Sequence, residues 1–221
     1  MRLFVPAGVV ALAATMLVPA AVSRANPITT LFDTGVSASG TPLSNGAAEI
    51  HYTLTSVPSG TTAVRVATSA NGFPIPPWLA DDTTSAWIGP SSDSSLDGPV
   101  GSYDYHMTFS LSGFLAASAS IIGEWSTDNE GLDILLNGVS TGQTIPTDTS
   151  YTSFHAFTLS SGFVSGANTL DFIVNNDGGP TGLRVEMTGT ATVAAVPEPA
   201  SLALFGTALL GFGAIRRRRR L

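Results

Sequence analysis

The chain has 221 residues and no cysteine, which excludes disulfides, thiolate chemistry and cysteine-bound metals. All nine basic residues are arginines and seven of them lie in the terminal segments, so residues 26–196 carry two arginines against fifteen acidic residues, a net charge of −13. A field of that sign repels phosphate backbones, which argues against nucleic-acid binding and suits an exported domain.

The first predicted element is a secretory signal peptide over residues 1–25. Arg2 precedes a long apolar stretch, and the small residues Ser23 and Ala25 stand at positions −3 and −1 of a cleavage point before Asn26. A retained membrane anchor is the alternative, and the two prolines of this stretch argue against it.

Residues 26–195 are predicted to form one all-β domain, an antiparallel β-sandwich of the jelly-roll type with about eight strands. Six segments alternate apolar and polar residues with a period of two, which is typical of half-buried strands. In this alternation Ile50 and Leu132 face the core, whereas Arg184 lies on the polar face. The segments are 49–56, 101–111, 119–125, 131–138, 169–176 and 182–189.

The stretch from Pro74 to Pro99 predicts a long surface loop, which the segment from Trp87 to Pro90 tacks down. Trp78 and Trp87 in this loop allow two interpretations. They form an aromatic platform for a glycan, or they cover one end of the sandwich.

The densest polar group of the body lies in the stretch from Trp125 to Asp133, where Asp128, Asn129, Glu130 and Asp133 offer hard oxygen atoms. Three interpretations stay open: a solvated turn, a structural cation, and direct contact with a ligand. For a cation, Ca²⁺ on Asp128 and Asp133 suits the chemistry, although the spacing is not that of an EF-hand. No other cofactor is predicted. The stretch from Asn175 to Gly179 is a second polar loop, which we interpret as a plain turn.

Two further motifs have ordinary explanations. Residues 138–142 match the G-x-S-x-G nucleophile elbow, but they follow an Asn-Gly turn and no helical pattern follows them, so a chance match is favoured. His51, His106 and His155 lie in alternating segments opposite most of the apolar residues, which favours polar-face histidines over a metal site. We therefore predict no catalytic residues.

The last predicted element is a C-terminal signal over residues 196–221. Pro197, Glu198 and Pro199 precede an apolar run of 16 residues from Ala200 to Ile215. As a helix the run measures about 24 Å, slightly short of a hydrocarbon core of about 30 Å, so it can form a transmembrane helix with local thinning of the bilayer. Five arginines follow and would stay on the cytoplasmic side, retaining the protein in the inner membrane. They are Arg216, Arg217, Arg218, Arg219 and Arg220.

Together, the Pro-Glu-Pro triplet, the short apolar helix and the terminal arginines resemble the PEP-CTERM sorting signal of Gram-negative bacteria. The resemblance implies a partner, exosortase, an envelope enzyme that recognises Pro197, Glu198 and Pro199 and processes the tail. It covers about the last 26 residues.

The body resembles the carbohydrate-binding-like, galactose-binding-like jelly rolls found in many PEP-CTERM proteins. The matching pattern is W-x-x-D-N, a strand ending L-N-G, an F-x-x-G-x-N-x-L turn and a final G-L-R-V-E strand. These fall on Trp125, Asp128 and Asn129; on residues 136–138; on Phe163, Gly166, Asn168 and Leu170; and on residues 182–186.

The two resemblances imply a non-enzymatic exported protein of the cell surface or biofilm matrix. Its signal peptide exports it, its C-terminal helix holds it in the inner membrane, and exosortase then processes it. Association with exopolysaccharide or another glycan is the implied activity. Two alternatives remain open: a secreted hydrolase acting on polysaccharide, and a structural coat protein without a ligand.

Overall fold

The computed structural model describes residues 24–60 and 62–195 together with the single positions 205 and 208. Strands dominate this part of the chain, and three short 3₁₀ turns interrupt it at Ser69–Asn71, Ala116–Ser118 and Ser150–Thr152. The strands are β1 (Ala25–Pro27), β2 (Thr53–Ser56), β3 (Arg65–Ala67), β4 (Trp87–Gly89), β5 (Gly101–Ser110), β6 (Ser120–Asp128), β7 (Gly131–Leu136), β8 (Val139–Ser140), β9 (His155–Leu159), β10 (Ala167–Asn176) and β11 (Gly182–Thr192).

Two antiparallel sheets form a sandwich. The first sheet has six strands in the order β3-β4-β11-β6-β9, with β1 also paired to β11, and the second has five in the order β2-β5-β10-β7-β8. The predicted all-β sandwich is therefore confirmed. The expected number of about eight strands is too low, because β1, β3, β4 and β8 have only two or three residues each and give little alternation to recognise.

The core lies between the inner faces of the two sheets, where the predicted alternation places it. Tyr103, Tyr105 and Met107 of β5 are each at most 1% exposed. From the facing side, Trp125 packs against Phe172 of β10 with 5.9 Å between ring centroids. Burial of these large side chains is the main contribution to the stability of the sandwich.

The prediction that Leu132 faces the core is wrong, because a β-bulge interrupts the alternation. Along β10, Ile173 pairs with Asp133, but the next residue, Val174, pairs with Gly131. Leu132 is the extra residue on β7 and is turned outward with 43% of its surface exposed. A bulge of one residue shifts every position before it to the other face.

Ile50 is also exposed, at 57%, against the prediction. The strand β2 begins only at Thr53, and the chain turns before it. The carboxylate of Glu49 accepts hydrogen bonds from the backbone N–H groups of Ile50 and His51, at 2.9 and 2.7 Å. This local capping competes with strand pairing, so residues 49–51 stay outside the sheet.

The long loop is tacked down as predicted. Within it, β4 pairs with both β3 and β11, and Ile88 lies opposite Leu183. Trp78 and Trp87 are 3% and 0% exposed, and their ring centroids are 4.4 Å apart. The two rings therefore cover the end of the sandwich and leave no open aromatic platform for a glycan.

Candidate functional site

The predicted polar loop, Trp125 to Asp133, is the connection between β6 and β7, and its residues have different environments. Trp125 belongs to the core, and its indole lies so close to Gly131 that a methyl group added there would stand 2.4 Å from the ring. Asp133 lies on β7, where its Oδ1 accepts a hydrogen bond from the backbone N–H of Gly142 at 3.2 Å. Trp125 is thus structural, and only the turn itself is a candidate site.

Asp128 anchors the long loop to this turn. Its Oδ2 accepts a hydrogen bond from the indole N–H of Trp78 at 2.7 Å, and its side chain is nearly buried. Burial raises the pKa of Asp128 to about 7, the Trp78 hydrogen bond opposes the rise, and the charge of Glu130 adds to it. A carboxyl in this environment is close to half protonated at neutral pH.

Asn129 and Glu130 bring the two predicted polar loops together. Asn129 Oδ1 accepts a hydrogen bond from the backbone N–H of Asp177 at 2.7 Å. The side-chain amide of Asn175 donates both to Glu130 Oε2 at 2.9 Å and to Asp177 Oδ1 at 2.7 Å. The first loop is therefore joined to the second by side-chain hydrogen bonds, so it is more ordered than the solvated turn among the three predicted interpretations.

The donor set at this joint gives little support to a bound Ca²⁺ ion. In residues 24–60 and 62–195, no three histidine or acidic side chains are grouped so that they could hold a metal. Asp128 is engaged by Trp78 and has a raised pKa, whereas Asp133 contacts Gly142. Calcium on Asp128 and Asp133 stays a prediction without structural support.

The three histidines have separate environments. His51 stacks on Phe32, with ring centroids 3.7 Å apart. On the outer face of the second sheet, His106 Nδ1 lies 2.5 Å from Asp171 Oδ1, and its Nε2 lies 3.4 Å from Thr108 Oγ1. The order hydroxyl, imidazole, carboxylate is that of a catalytic triad, but 3.4 Å exceeds the usual 2.6–3.2 Å between nucleophile and base.

The G-x-S-x-G match at residues 138–142 is a β-hairpin. Asn137 and Gly138 have positive φ angles of 54° and 75°, as expected for a tight turn, and they connect β7 to β8. Ser140 lies in β8, and the next nine residues, 141–149, contain no helix. The interpretation as a chance match agrees with this geometry.

Sequence reasoning missed the role of Arg184, which is only 1% exposed although it lies on the outer face of β11. The loop segment 80–85 covers it. Its Nη2 lies 2.5 Å from Asp82 Oδ2, its Nε donates to Ser85 Oγ at 2.7 Å, and its Nη1 donates to the Ala80 carbonyl at 2.7 Å. Phe154 lies beneath the guanidinium, 5.2 Å from ring centroid to Cζ. A signal for this role was present, because Arg184 is one of only two arginines among the fifteen acidic residues of the body.

Carboxylates outnumber the arginine at this cluster. Glu186 Oε1 lies 3.6 Å from Arg184 Nη2 and accepts a hydrogen bond from Ser85 Oγ at 2.8 Å. Burial raises the pKa of Glu186, and the charges of Asp82 and Asp33 add to the rise. Burial also raises the pKa of Asp33, whose Oδ1 accepts a hydrogen bond from the backbone N–H of Met187 at 2.7 Å.

An open groove of about 460 Å³ adjoins this cluster on the outer face of the first sheet. Glu124 of β6 and Glu186 of β11 are directly opposite each other in the strand register. Ile122, two residues before Glu124, is 59% exposed. The groove is lined by Asp33, Thr84, Ile122, Gly123, Glu124, Ala156, Phe157, Thr158, Glu186, Met187 and Thr188. It combines carboxylates, hydroxyl groups and a small apolar surface.

The predicted terminal signals fall almost entirely outside the described residues. These include Pro197, Glu198 and Pro199, and the arginines 216–220. At the predicted cleavage point, Ala25 and Asn26 lie in β1 and pair with Thr192 and Ala191 of β11. Among the residues that the structure describes, no helix is both long enough and apolar enough to cross a membrane.

Comparisons with known proteins give a match to a protein-family model over one segment of the sequence, and matches to several solved structures. No curated protein matches the chain. Among solved structures, it is similar to a CBM35 from Paenibacillus barcinonensis, at 13% identity over 74% of this chain and 97% of that one, with a TM-score of 0.36. It is also similar to a family 35 carbohydrate binding module from an environmental isolate, at 15% identity over 67% of this chain and all of that one, with a TM-score of 0.32. These values are too low to transfer a ligand.

The sequence match falls where the chain leaves the sandwich. Strand β11 ends at Thr192, and the match to a protein-sorting motif runs over residues 195–220, which contain the proline–glutamate–proline triplet, the apolar run and the arginines. The predicted recognition of this segment is therefore confirmed. The chain carries a C-terminal PEP-CTERM protein-sorting motif behind an all-β sandwich.

Proposed function

We propose that the protein is an exported, non-enzymatic surface protein whose sandwich associates with extracellular glycan. Its C-terminal segment would first anchor it in the inner membrane and would then be recognised and processed by an exosortase. The protein would end in the cell envelope, on the cell surface or in the extracellular matrix.

The observation that carries this proposal is the direct junction between the sandwich and the sorting motif. Val193 forms a β-bridge with Phe114, and the backbone N–H of Ala194 donates to the Gly113 carbonyl at 2.8 Å. The folded body thus extends to the residue before the motif begins at Ala195. The body is the cargo of the sorting signal, since no further domain separates them.

Charge supports a location outside the cytoplasm and a partner other than nucleic acid. The body carries −13, whereas the five terminal arginines belong to the cytoplasmic side of a membrane segment. A body with few cations and many carboxylates and hydroxyl groups suits hydrated polysaccharide. The groove on the first sheet offers such groups beside an exposed apolar side chain.

Substituting Pro197, Glu198 and Pro199 with alanine is expected to leave the protein membrane-bound and unshortened. The two prolines favour an extended backbone and keep the triplet separate from the apolar helix, so that a processing enzyme can bind the carboxylate of Glu198. The variant and the parent are to be fractionated from a host that carries an exosortase, and their sizes compared. An alanine variant that is shortened and released like the parent would reduce the triplet to a linker.

A second variant separates sorting from retention. Replacing Arg216 to Arg220 with serine removes the charges that stop transfer, so this variant should be lost from the membrane fraction. Retention of the serine variant at the parent's level would contradict the role given to the arginines.

The mature protein is expected to begin at Asn26. Ser23 and Ala25 fit the small-residue rule for signal peptidase. N-terminal sequencing of protein from the envelope tests this, and a sequence beginning at Met1 would favour the retained anchor.

Glycan association separates the proposal from its two alternatives. The full-length protein, purified in detergent, is to be applied to a glycan array and incubated with the polysaccharides that it retains. Binding without release of reducing sugar supports the proposal. Release of reducing sugar would indicate a hydrolase, and retention of no glycan would leave a structural coat protein.

A further inference from the structure

We propose that one end of the sandwich lies on the surface of a lipid bilayer, with its exposed aliphatic side chains in contact with the lipid. This end, which we call the anchor end, is where β5 finishes at Ser110 and β11 finishes at Thr192. The inference goes beyond glycan association, and it rests on the proposed anchoring of the C-terminal segment in the inner membrane. Three observations carry it: the point at which the chain leaves the body, the distribution of charge, and the exposed side chains.

The anchor end is one connected surface. Residues 111–119 connect β5 to β6 and so cross from one sheet to the other. The backbone N–H of Leu115 in this connection donates to the Thr192 carbonyl at 2.8 Å. The N–H of Leu111 donates at 2.7 Å to the carbonyl of Gly166, which lies in the second crossing connection, between β9 and β10. Both crossing connections and the end of the last strand therefore meet here.

The first observation is the short distance between this end and the predicted membrane segment. The backbone N–H of Ala194 donates to the Gly113 carbonyl at 2.8 Å, so the chain still belongs to the body there. The apolar run begins at Ala200, six residues further on. Six residues span at most about 22 Å when fully extended. The predicted signal peptide joins the same end, since Ala25 pairs with Thr192. An anchored body therefore keeps this end next to the bilayer.

The second observation is the distribution of charge along the sandwich. No aspartate or glutamate occurs in the segments that build the anchor end, although the body contains fifteen. These segments are 107–123, 134–147, 156–170 and 187–195. Acidic residues are frequent at the opposite end, where β5 begins and β6 finishes. They include Asp93, Asp97, Asp128, Glu130 and Asp177. Because a carboxylate brought against hydrocarbon must be desolvated, the anchor end can approach a bilayer at much lower cost than the acidic end.

The third observation is a set of exposed aliphatic side chains at the anchor end. Leu115, Val164 and Val193 are 48%, 48% and 46% exposed, and we call them the apolar patch. The segments of Leu115 and Val193 are joined by the β-bridge between Phe114 and Val193. Aliphatic side chains leave water when they enter the boundary between headgroups and acyl chains. A bilayer that the chain itself holds beside the patch has a high effective concentration, which favours it over a separate protein partner.

Fluorescence quenching by lipid tests the inference. The chain has no cysteine, so Leu115→Cys can be given a single NBD label. The protein is to be prepared in a host without an exosortase, which keeps the tail. It is then reconstituted into vesicles of phosphatidylethanolamine and phosphatidylglycerol in equal parts, with and without a nitroxide on the acyl chains. We expect strong quenching at position 115.

Leu96→Cys is the control position for the label. Leu96 is 58% exposed and lies at the acidic end, close to the start of β5. The ten residues of β5 separate the two ends by about 34 Å. A label at position 96 should therefore show little quenching by the acyl-chain nitroxide.

Val164→Asp is the diagnostic variant, and Val100→Asp is its matched control. Both place a carboxylate at an exposed valine, the first at the anchor end and the second just before β5 begins. Val164→Asp should lower the ratio of docked to undocked protein by at least about tenfold, because its carboxylate would have to be desolvated at the bilayer. The loss is measured as weaker quenching of the label at position 115. Val100→Asp should be quenched like the parent, and both variants should keep the parent's melting temperature.

Flotation of the vesicles keeps the possible failures apart. A protein that does not float with them removes the proposed anchoring and this inference together. A protein that floats with an unquenched label at position 115 overturns the inference and leaves the anchoring standing. Parental quenching in Val164→Asp does the same, since the tether alone would then explain the signal. Blue-shifted but unquenched fluorescence would mean that a second copy of the chain covers the apolar patch, which also overturns the inference.

Discussion

Replacing Arg184 with methionine is expected to lower the free energy of unfolding by about 3 kcal/mol, the lower end of the range for breaking a buried ion pair. The guanidinium is 1% exposed and holds the loop segment 80–85 through Asp82, Ser85 and the Ala80 carbonyl. Methionine fills much of the volume but leaves these groups without their donors. The loss stays at the lower end because Asp82 keeps 44% of its side chain exposed and can be solvated again.

Arg65→Met is the matched control, since Arg65 is the one other arginine between residues 26 and 196. Thermal unfolding should show a drop of about 6–12 °C for Arg184→Met, at 2–4 °C per kcal/mol in a domain of this size, and little change for Arg65→Met. Arg184→Lys should restore only part of the lost melting temperature, because a single ammonium group cannot make all three contacts of the planar guanidinium. An Arg184→Met protein that melts with the parent would mean that the loop is held without the ion pair.

The core of this fold was predictable because alternation with period two maps directly onto two sheet faces. Tyr103, Tyr105, Met107 and Phe109 were assigned to one face and all are buried. The same rule failed at Leu132, where a one-residue bulge reversed the phase. A bulge is set by the partner strand β10, so a rule applied to β7 alone cannot reveal it.

The contacts that build the candidate sites are long-range, and the sequence does not encode them locally. The hydrogen bond from Trp78 to Asp128 joins residues 50 positions apart, and the pairing of Arg184 with Asp82 spans about a hundred. The groove depends on the register that sets Glu124 opposite Glu186. By contrast, the sorting motif was found from sequence because it is a contiguous signal whose three parts stand in a fixed order.

Asp128→Asn is expected to abolish a pH dependence of stability that the parent shows between about pH 4 and pH 7. The pKa of Asp128 is raised from 3.8 to about 7 in the folded protein, chiefly by burial. Between these values the folded state binds a proton that the unfolded state has lost, so the free energy of unfolding falls as the pH rises and levels off above about pH 7. A shift of this size corresponds to about 4 kcal/mol across the window, at 1.36 kcal/mol per pH unit.

The substitution isolates this residue from the other titrating groups. Asparagine keeps a side-chain oxygen to accept the indole N–H of Trp78 and cannot ionise, so only the Asp128 contribution is removed. Other groups make the free energy of unfolding depend on pH in both proteins. Asp33, Asp104 and Glu186, whose pKa values are raised, make it fall as the pH rises, whereas Asp82, whose pKa is lowered, makes it rise. The difference between parent and variant cancels all four, provided that they do not change with the substitution.

Denaturant unfolding of both proteins at half-unit intervals from pH 4.5 to pH 8.5 measures that difference. The free energy of unfolding of Asp128→Asn should rise relative to that of the parent up to about pH 7. Above that pH it should stay higher by about 2 kcal/mol, which is less than the full shift because the asparagine N–H₂ group lies in a nearly buried site. Asp148→Asn, which removes an exposed carboxyl nearby in sequence, should follow the parent's slope. If the Asp128→Asn and parent curves run parallel over the whole range, Asp128 is ionised in the folded state, and its carboxylate holds Trp78 as a charged acceptor.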